Sequence, residues 1–156
     1  MTTNSKLVEV LNDLIQINND RIAGYDKAIV SVGSLDIDLK TMFRKQADQS
    51  EGFRIALTDR VLKLGGEAAE GTTGLGKIYR GWMDVKNAFS GNDRQSVLDS
   101  CEAGEDAALK AYKDALLSDA DITATVRQLI SAQQVELKAA HDNIKRYRDL
   151  NEAVHS

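Results

Sequence analysis

Six polar side chains interrupt apolar stripes near the midpoints of four helical segments, and their spacing is that of metal ligands. In the first segment the stripe Leu7, Leu11, Leu14 reaches Asn18 at its next inward position. In the second, Leu39 and Phe43 lead to Gln46, with Gln49 and Ser50 one turn on. In the third, Leu98 and Cys101 lead to Glu105. In the fourth, Ile122, Val126 and Leu129 lead to Gln133, with Glu136 one turn on. A dinuclear carboxylate centre inside a helical bundle draws one Glu from each of two helices and Glu-x-x-His from each of the other two. Asn18 and Glu105 occupy the single-Glu positions; Gln46-x-x-Gln49 and Gln133-x-x-Glu136 occupy the paired ones. The spacing is kept, but only two of the six are carboxylates and none is histidine. Amide oxygens are neutral, whereas Fe and Mn favour carboxylate and imidazole. The pattern therefore predicts a hydrogen-bonded polar layer with no resident cofactor and at most weak Fe or Mn binding. Burying a lone polar group costs about 1–3 kcal/mol, so four coincident breaks must satisfy one another or hold water or an ion. On this reading Gln46 and Gln133 are removable as a set, whereas loss of Glu105 alone orphans its partners.

The elements that position these residues are helices. Proline is absent, which removes the strongest helix breaker. The first stripe continues through Tyr25, Ala28 and Val32 to Gly33-Ser34, where glycine is expected as a left-handed stop and Ser34 or Asp36 as the next cap. The second runs Leu39, Phe43, Phe53, Leu57, Val61, Leu64 and stops at Gly65-Gly66. The third runs Leu98, Cys101, Ala108, Tyr112, Ala115, preceded by Asn92 and Gln95 as a capping-box-like pair. The fourth follows Ser118-Asp119 and extends through Ala140, Ile144 and Tyr147. Short connections make each consecutive pair an antiparallel hairpin. The link between the hairpins, residues 65–91, is long and begins glycine-rich. Within it Leu75, Ile78, Trp82, Val85 and Phe89 predict a short amphipathic helix, with Trp82 packed on the bundle. Two helical hairpins joined by a long crossover form the ferritin-like variant of the four-helix bundle. The fold class is all-α, in one domain spanning 1–156.

The two halves repeat. An offset of 87 residues places Tyr25 on Tyr112, Leu11 on Leu98, Ala28 on Ala115, Leu39 on Val126, Phe43 on Ile130 and Leu57 on Ile144. The same offset pairs Asn18 with Glu105, Gln46 with Gln133 and Gln49 with Glu136. A central site would thus draw on both hairpins about a pseudo-two-fold axis.

Composition narrows the function classes. Apolar residues at 42% can fill a core, and a net charge of −4 spread along the chain argues against a nucleic-acid groove. One cysteine excludes an internal disulfide, and no Cys/His cluster suggests zinc. No apolar run approaches the ~20 residues of a membrane span. The first residues lack a charged-then-apolar signal, so a cytoplasmic protein without membrane contact is expected.

Several other signals are weaker. Gly71-x-x-x-x-Gly76-Lys77 approaches a phosphate-binding loop, but Ile78 replaces the Ser or Thr and a helix rather than a strand precedes it. Cys101 lies on a core stripe and is expected to be an inert thiol. His141 is expected near the polar layer, hydrogen-bonded to a neighbour, with a ligand or base role as the alternative. Lys138, Lys145, Arg146 and Arg148, interleaved with Asp142, Asp149 and Glu152, read as a solvated face. Val8, Ile15 and Ile22 recur every seven residues off the first stripe. This row fits a homodimer seam, or else a surface covered by the crossover.

The stretches Leu11-Asn12-Asp13-Leu14-Ile15, Asn19-Asp20-Arg21-Ile22 and Gly24-Tyr25, with Gly81-Trp82, Cys101-Glu102, Gly104-Glu105-Asp106 and Ala111-Tyr112, carry a resemblance. The chain resembles a bacterial family of small ferritin-like four-helix-bundle proteins of unknown function, distant relatives of rubrerythrin and ferritin. The resemblance implies the ferritin-like fold and a stress-related role, without an assigned activity. In rubrerythrins the first-helix Glu lies seven residues before a Tyr. Glu105 to Tyr112 keeps that spacing, whereas Asn18 to Tyr25 has lost the carboxylate. The expected function is non-enzymatic, through homo-oligomerisation or protein partner binding, with a degenerate di-metal site. The alternative is a metal-binding oxidoreductase or iron-handling protein with an atypical carboxylate/amide site.

Overall fold

A computed structural model describes residues 3–71 and 94–155 of the chain. The four helices are α1 (Thr3–Ser31), α2 (Ile37–Lys63), α3 (Arg94–Leu116) and α4 (Ala124–His155). The apolar stripes all turn inward to one cluster. Leu7, Leu11, Tyr25, Leu39, Phe43, Leu57, Leu98, Tyr112, Ile130 and Ile144 lie within it, fully enclosed. Each residue pair aligned by the 87-residue offset along the stripes is buried in both halves, so the repeat marks equivalent inward registers. Among the described residues no helix is long and apolar enough to cross a membrane.

Hydrogen bonds between the ends set the directions of the helices. Lys6, at the start of α1, pairs with Asp119 in the α3–α4 turn at 2.8 Å. Arg94, at the start of α3, reaches the α1–α2 turn, donating to Asp36 at 2.7 Å and to both carboxylate oxygens of Asp38 at 3.2 and 2.8 Å. Asn151, near the end of α4, donates to Gln95 at 2.7 Å. Thus α1 begins where α3 ends, and α3 begins where α4 ends. Asp38 is held below the usual carboxylate range, chiefly by the hydrogen bonds from Arg94.

The stops are specific. α2 ends in a Schellman turn: Gly66 N–H donates to the Val61 carbonyl at 3.0 Å and Gly65 N–H to that of Leu62 at 3.0 Å. Gly65 takes φ +81°, the left-handed conformation that glycine adopts at low cost. The expected left-handed stop at Gly33 does not occur, because its φ is not positive. That turn is closed instead by Asp36, whose carboxylate accepts from Gly33 N–H at 3.0 Å while its own N–H donates to the Gly33 carbonyl at 3.0 Å. Asp36 stands at the N-cap of α2 without capping it through its side chain, its carboxylate being turned to Gly33 and Arg94. α4 begins later than Ile122, with Thr123 Oγ1 accepting from Val126 N–H at 3.3 Å.

The start of the crossover climbs α1. Asn12 donates to the Glu67 carbonyl at 2.9 Å and accepts from Ala69 N–H at 2.8 Å. Gln16 donates to the Glu70 carbonyl at 3.5 Å and Asn19 to that of Gly71 at 2.8 Å. From Asn12 to Asn19 the helix rises about 10 Å, a distance that only a nearly extended segment covers between Glu67 and Gly71. The remainder of the crossover, including the predicted helix over Leu75–Phe89, Trp82, the Gly76-Lys77 end of the loop motif and Asn92, lies outside the described residues.

Gly66 sits against α1 so closely that a Cβ there would lie 2.8 Å from Val8 Cγ1 and 2.9 Å from Cγ2. Ile15 is 1% exposed. In the Val8–Ile15–Ile22 row, Ile15 is thus enclosed and Val8 is met by Gly66, whereas Val8 and Ile22 are only half-buried. Valine is stiff about χ1 and cannot step aside. Gly66→Ala is expected to destabilise by about 1–3 kcal/mol. Gly52→Ala, on the exposed side of α2 with no atom within 4 Å of a built Cβ, is expected to stabilise by about 0.4–1 kcal/mol. Urea denaturation midpoints of the two variants should move in opposite directions.

Candidate functional site

At mid-bundle the inward register of α1 continues from Leu14 through Asn18 to Arg21 and on to Tyr25, and every one of these residues is buried. Arg21 is 1% exposed. A guanidinium carries five N–H donors and cannot shed its charge. Here all five find acceptors. Nε donates to Glu105 Oε1 at 2.5 Å and Nη2 to Oε2 at 3.1 Å, a bidentate pair between α1 and α3. Nη1 donates to Ser50 Oγ at 2.8 Å and to the Gln46 carbonyl at 3.2 Å, and Nη2 also reaches Gln46 Oε1 at 3.4 Å. The guanidinium carbon lies 5.4 Å from the centroid of the Tyr25 ring.

The network then runs through the other polar residues. Ser50 Oγ donates to Asn18 Oδ1 at 2.9 Å. Asn18 Nδ2 donates to the Leu14 carbonyl and to Tyr112 Oη, both at 2.8 Å. Tyr112 donates to Gln133 Oε1 at 2.6 Å, and Gln133 Nε2 to the Phe53 carbonyl at 3.3 Å. All four helices are joined. Burial by itself would lower the Arg21 pKa, but Glu105 outweighs it and holds the cation above its ordinary value. Burial first, and then the Glu105 charge, push the Tyr25 phenol and the Cys101 thiol well up. Burial likewise raises Tyr112. Cys101 is thus fully buried, as its stripe position predicts.

Four of the six predicted ligand positions converge: Asn18, Gln46, Glu105 and Gln133 are all buried in this network. Gln49 and Glu136 do not. Gln49 is half-buried, with its Oε1 enclosed and without a hydrogen-bond partner among the described residues, and Glu136 is exposed. Inward registers in α2 and α4 step by four at this level, to Ser50 and Leu137, so the i+3 positions swing off the centre. Gln46 and Gln133 also prove not to be a removable set. One accepts from Arg21 and the other from Tyr112, so losing both strands two buried donors. His141 lies two turns beyond Gln133 and away from the layer, 2.6 Å from Asp106 through Nε2 and 3.1 Å from Asp142 through Nδ1.

Arg21 is the inward-facing residue absent from the predicted polar set. Its signal was present: it falls in phase between Asn18 and Tyr25. At the repeat-equivalent register stands Ala108, fully buried, so only one half supplies the long side chain. The donor set does not fit a dinuclear iron or manganese centre. Its single carboxylate already spends both oxygens on a guanidinium, and the other groups are amides and hydroxyls.

Residues 6–118 match the family described as "Domain of unknown function (DUF2383)". The chain belongs to this family. Its fold is similar to solved ferritin-like structures. A variant of Mycobacterium smegmatis Dps1 superposes with a TM-score of 0.76 at 17% identity, over 94% of this chain and 97% of that one. The bacterioferritin-related protein of Bacteroides fragilis, described as a dodecameric thioferritin, gives 0.75 at 15% identity, over 97% and 88%. A Bacillus anthracis protein described as ferritin-like and diiron-carboxylate gives 0.62 at 15%, over 100% and 99%. At these identities the likeness is one of fold. No match is found among the curated proteins.

Breaking a buried ion pair by removing one partner costs about 3–5 kcal/mol, whereas replacing both partners by apolar groups is often near neutral. Glu105→Leu is expected to destabilise by that amount, and adding Arg21→Met to restore most of the loss. Chemical denaturation of the two single variants and the double variant reads the coupling; additive losses would contradict the pairing.

Proposed function

We propose that this chain is a cytoplasmic, non-enzymatic ferritin-like bundle whose di-metal centre is degenerate, and that it acts in a stress-related setting through self-assembly or partner binding. The observation that carries the reading is the Arg21 guanidinium. It is a fixed positive charge with all five donors paired, standing among the ligand positions of Asn18, Gln46, Glu105 and Gln133. A divalent cation in the same place would have to displace it from Glu105 and sit beside its charge.

Assembly draws support from the surface. The α1–α2 turn exposes Val30, Leu35 and Ile37 within eight residues, with Leu35 92% exposed. Apolar groups concentrated at a bundle tip favour burial against a second surface. The Bacteroides fragilis neighbour is dodecameric by its own description.

Two measurements test the proposal. Anaerobic Fe(II) titration is expected to show no binding that Glu105→Ala abolishes; stoichiometric, Glu105-dependent iron would overturn the non-metal reading in favour of an iron-handling protein. Sedimentation is expected to show an oligomer that Leu35→Lys weakens. A chain that stays monomeric at high concentration and captures no partner through this tip would overturn the assembly reading.

A further inference from the structure

Among the described residues outside the central network, one group of side chains is arranged for a ligand. Glu102 and Asp106 stand one turn apart on α3, and His141 faces them from α4. Each offers a donor atom, and the three atoms lie within 4.8 Å of one another. The sequence hides this grouping, because His141 is 35 residues from Asp106 and only the hairpin brings them together.

Two features leave donor atoms within the group unanswered, although Arg148 pairs with Glu102 and Lys138 with Asp142. Both ring nitrogens of His141 face carboxylate oxygens, Nε2 at 2.6 Å from Asp106 and Nδ1 at 3.1 Å from Asp142. A neutral imidazole has one donor and one acceptor, so with Nδ1–H directed to Asp142 the Nε2 lone pair points at an anion. Independently, Glu102 Oε2 is enclosed and has no hydrogen-bond partner among the described residues. The other oxygen, Oε1, is held by Arg148 at 2.5 Å, and the side chain is only 12% exposed. A proton on the imidazole would answer Asp106 alone. A metal ion would answer the imidazole, Asp106 and Glu102 together.

We propose that Glu102, Asp106 and His141 form a binding site for one divalent transition-metal ion of the Zn²⁺ type, bridging α3 and α4. One nitrogen and two carboxylate oxygens form a borderline donor set. Ligand bonds of about 2.0–2.1 Å put tetrahedral donors about 3.3 Å apart, so side-chain rotation alone closes the 4.8 Å spread. Asp142 acts from behind, fixing the imidazole tautomer as carboxylates do for metal-bound histidines. Arg148 orients Glu102 through Oε1. The fourth position is left to water. This site is separate from the central layer and does not depend on the reading of that layer.

The test is titration of metal-stripped full-length protein with Zn²⁺ by calorimetry, with the thermal midpoint followed in parallel. One equivalent is expected to bind and to raise the midpoint, since a ion bound only by the folded chain stabilises it. His141→Ala and Asp106→Asn should each weaken binding at least ~10-fold. His155→Ala, the chain's other histidine, should leave it unchanged. Asp106 is exposed, so its variant keeps the fold. The Arg21→Met, Glu105→Leu pair should retain Zn²⁺ binding, which separates this site from the centre. Equal binding in wild type and His141→Ala, or no binding in wild type, overturns the assignment.

Discussion

A guanidinium buried at the centre of a helical bundle must have five acceptors in place, and that requirement organises the rest of this molecule. An uncompensated charge in such surroundings costs several kcal/mol, far more than one imperfect Leu contact. Arg21 comes from α1 and its acceptors from α2 and α3; Asn18 and Tyr112 then carry the network to Gln133 on α4. A helix displaced by one turn moves about 5.4 Å, and every distance in the network is lost. Apolar stripes tolerate such slippage better, because Leu against Leu looks alike one turn away. The polar layer therefore fixes the register that the apolar layers leave loosely specified.

The same layer shows how the spacing of a di-metal motif can coincide with inward helix positions that hold no matching ligand set. The four positions that converge are set by the inward phase of each helix, which the fold needs whatever occupies them. The i+3 partners are not protected in this way. Once the inward path runs by four residues, to Ser50 in α2 and Leu137 in α4, Gln49 and Glu136 turn outward from the centre. The central charge balance is met by the Arg21–Glu105 pair.

Much of this was legible in the residues. The 3.6-residue period, the missing prolines and the long glycine-led link identify the bundle and its ferritin-like connection. The 87-residue offset places Asn18, Gln46, Glu105 and Gln133 at one level. Arg21 escaped because an arginine in a helix usually extends to water, and residue type outweighed its phase. Asp36 closing the first turn escaped because a capping residue and a turn-bridging residue look alike in sequence. The Glu102–Asp106–His141 grouping depends on the rotation of α4 against α3. No local spacing encodes that angle.

The amides of Asn12, Gln16 and Asn19 hold the beginning of the crossover by its main chain: the carbonyls of Glu67, Glu70 and Gly71 and the N–H of Ala69. Side chains on that stretch take no part in the grip, and only Ala68 packs against the core. Residues 67, 69 and 70 are thus free to drift in type over evolutionary time while the path of the chain stays the same. The constraint falls on the partner helix, where an amide must recur on one face. The exception within the stretch is proline at position 69, which would remove the N–H that Asn12 accepts from. Sequence variability here would coexist with structural invariance, the reverse of what variable loops usually suggest.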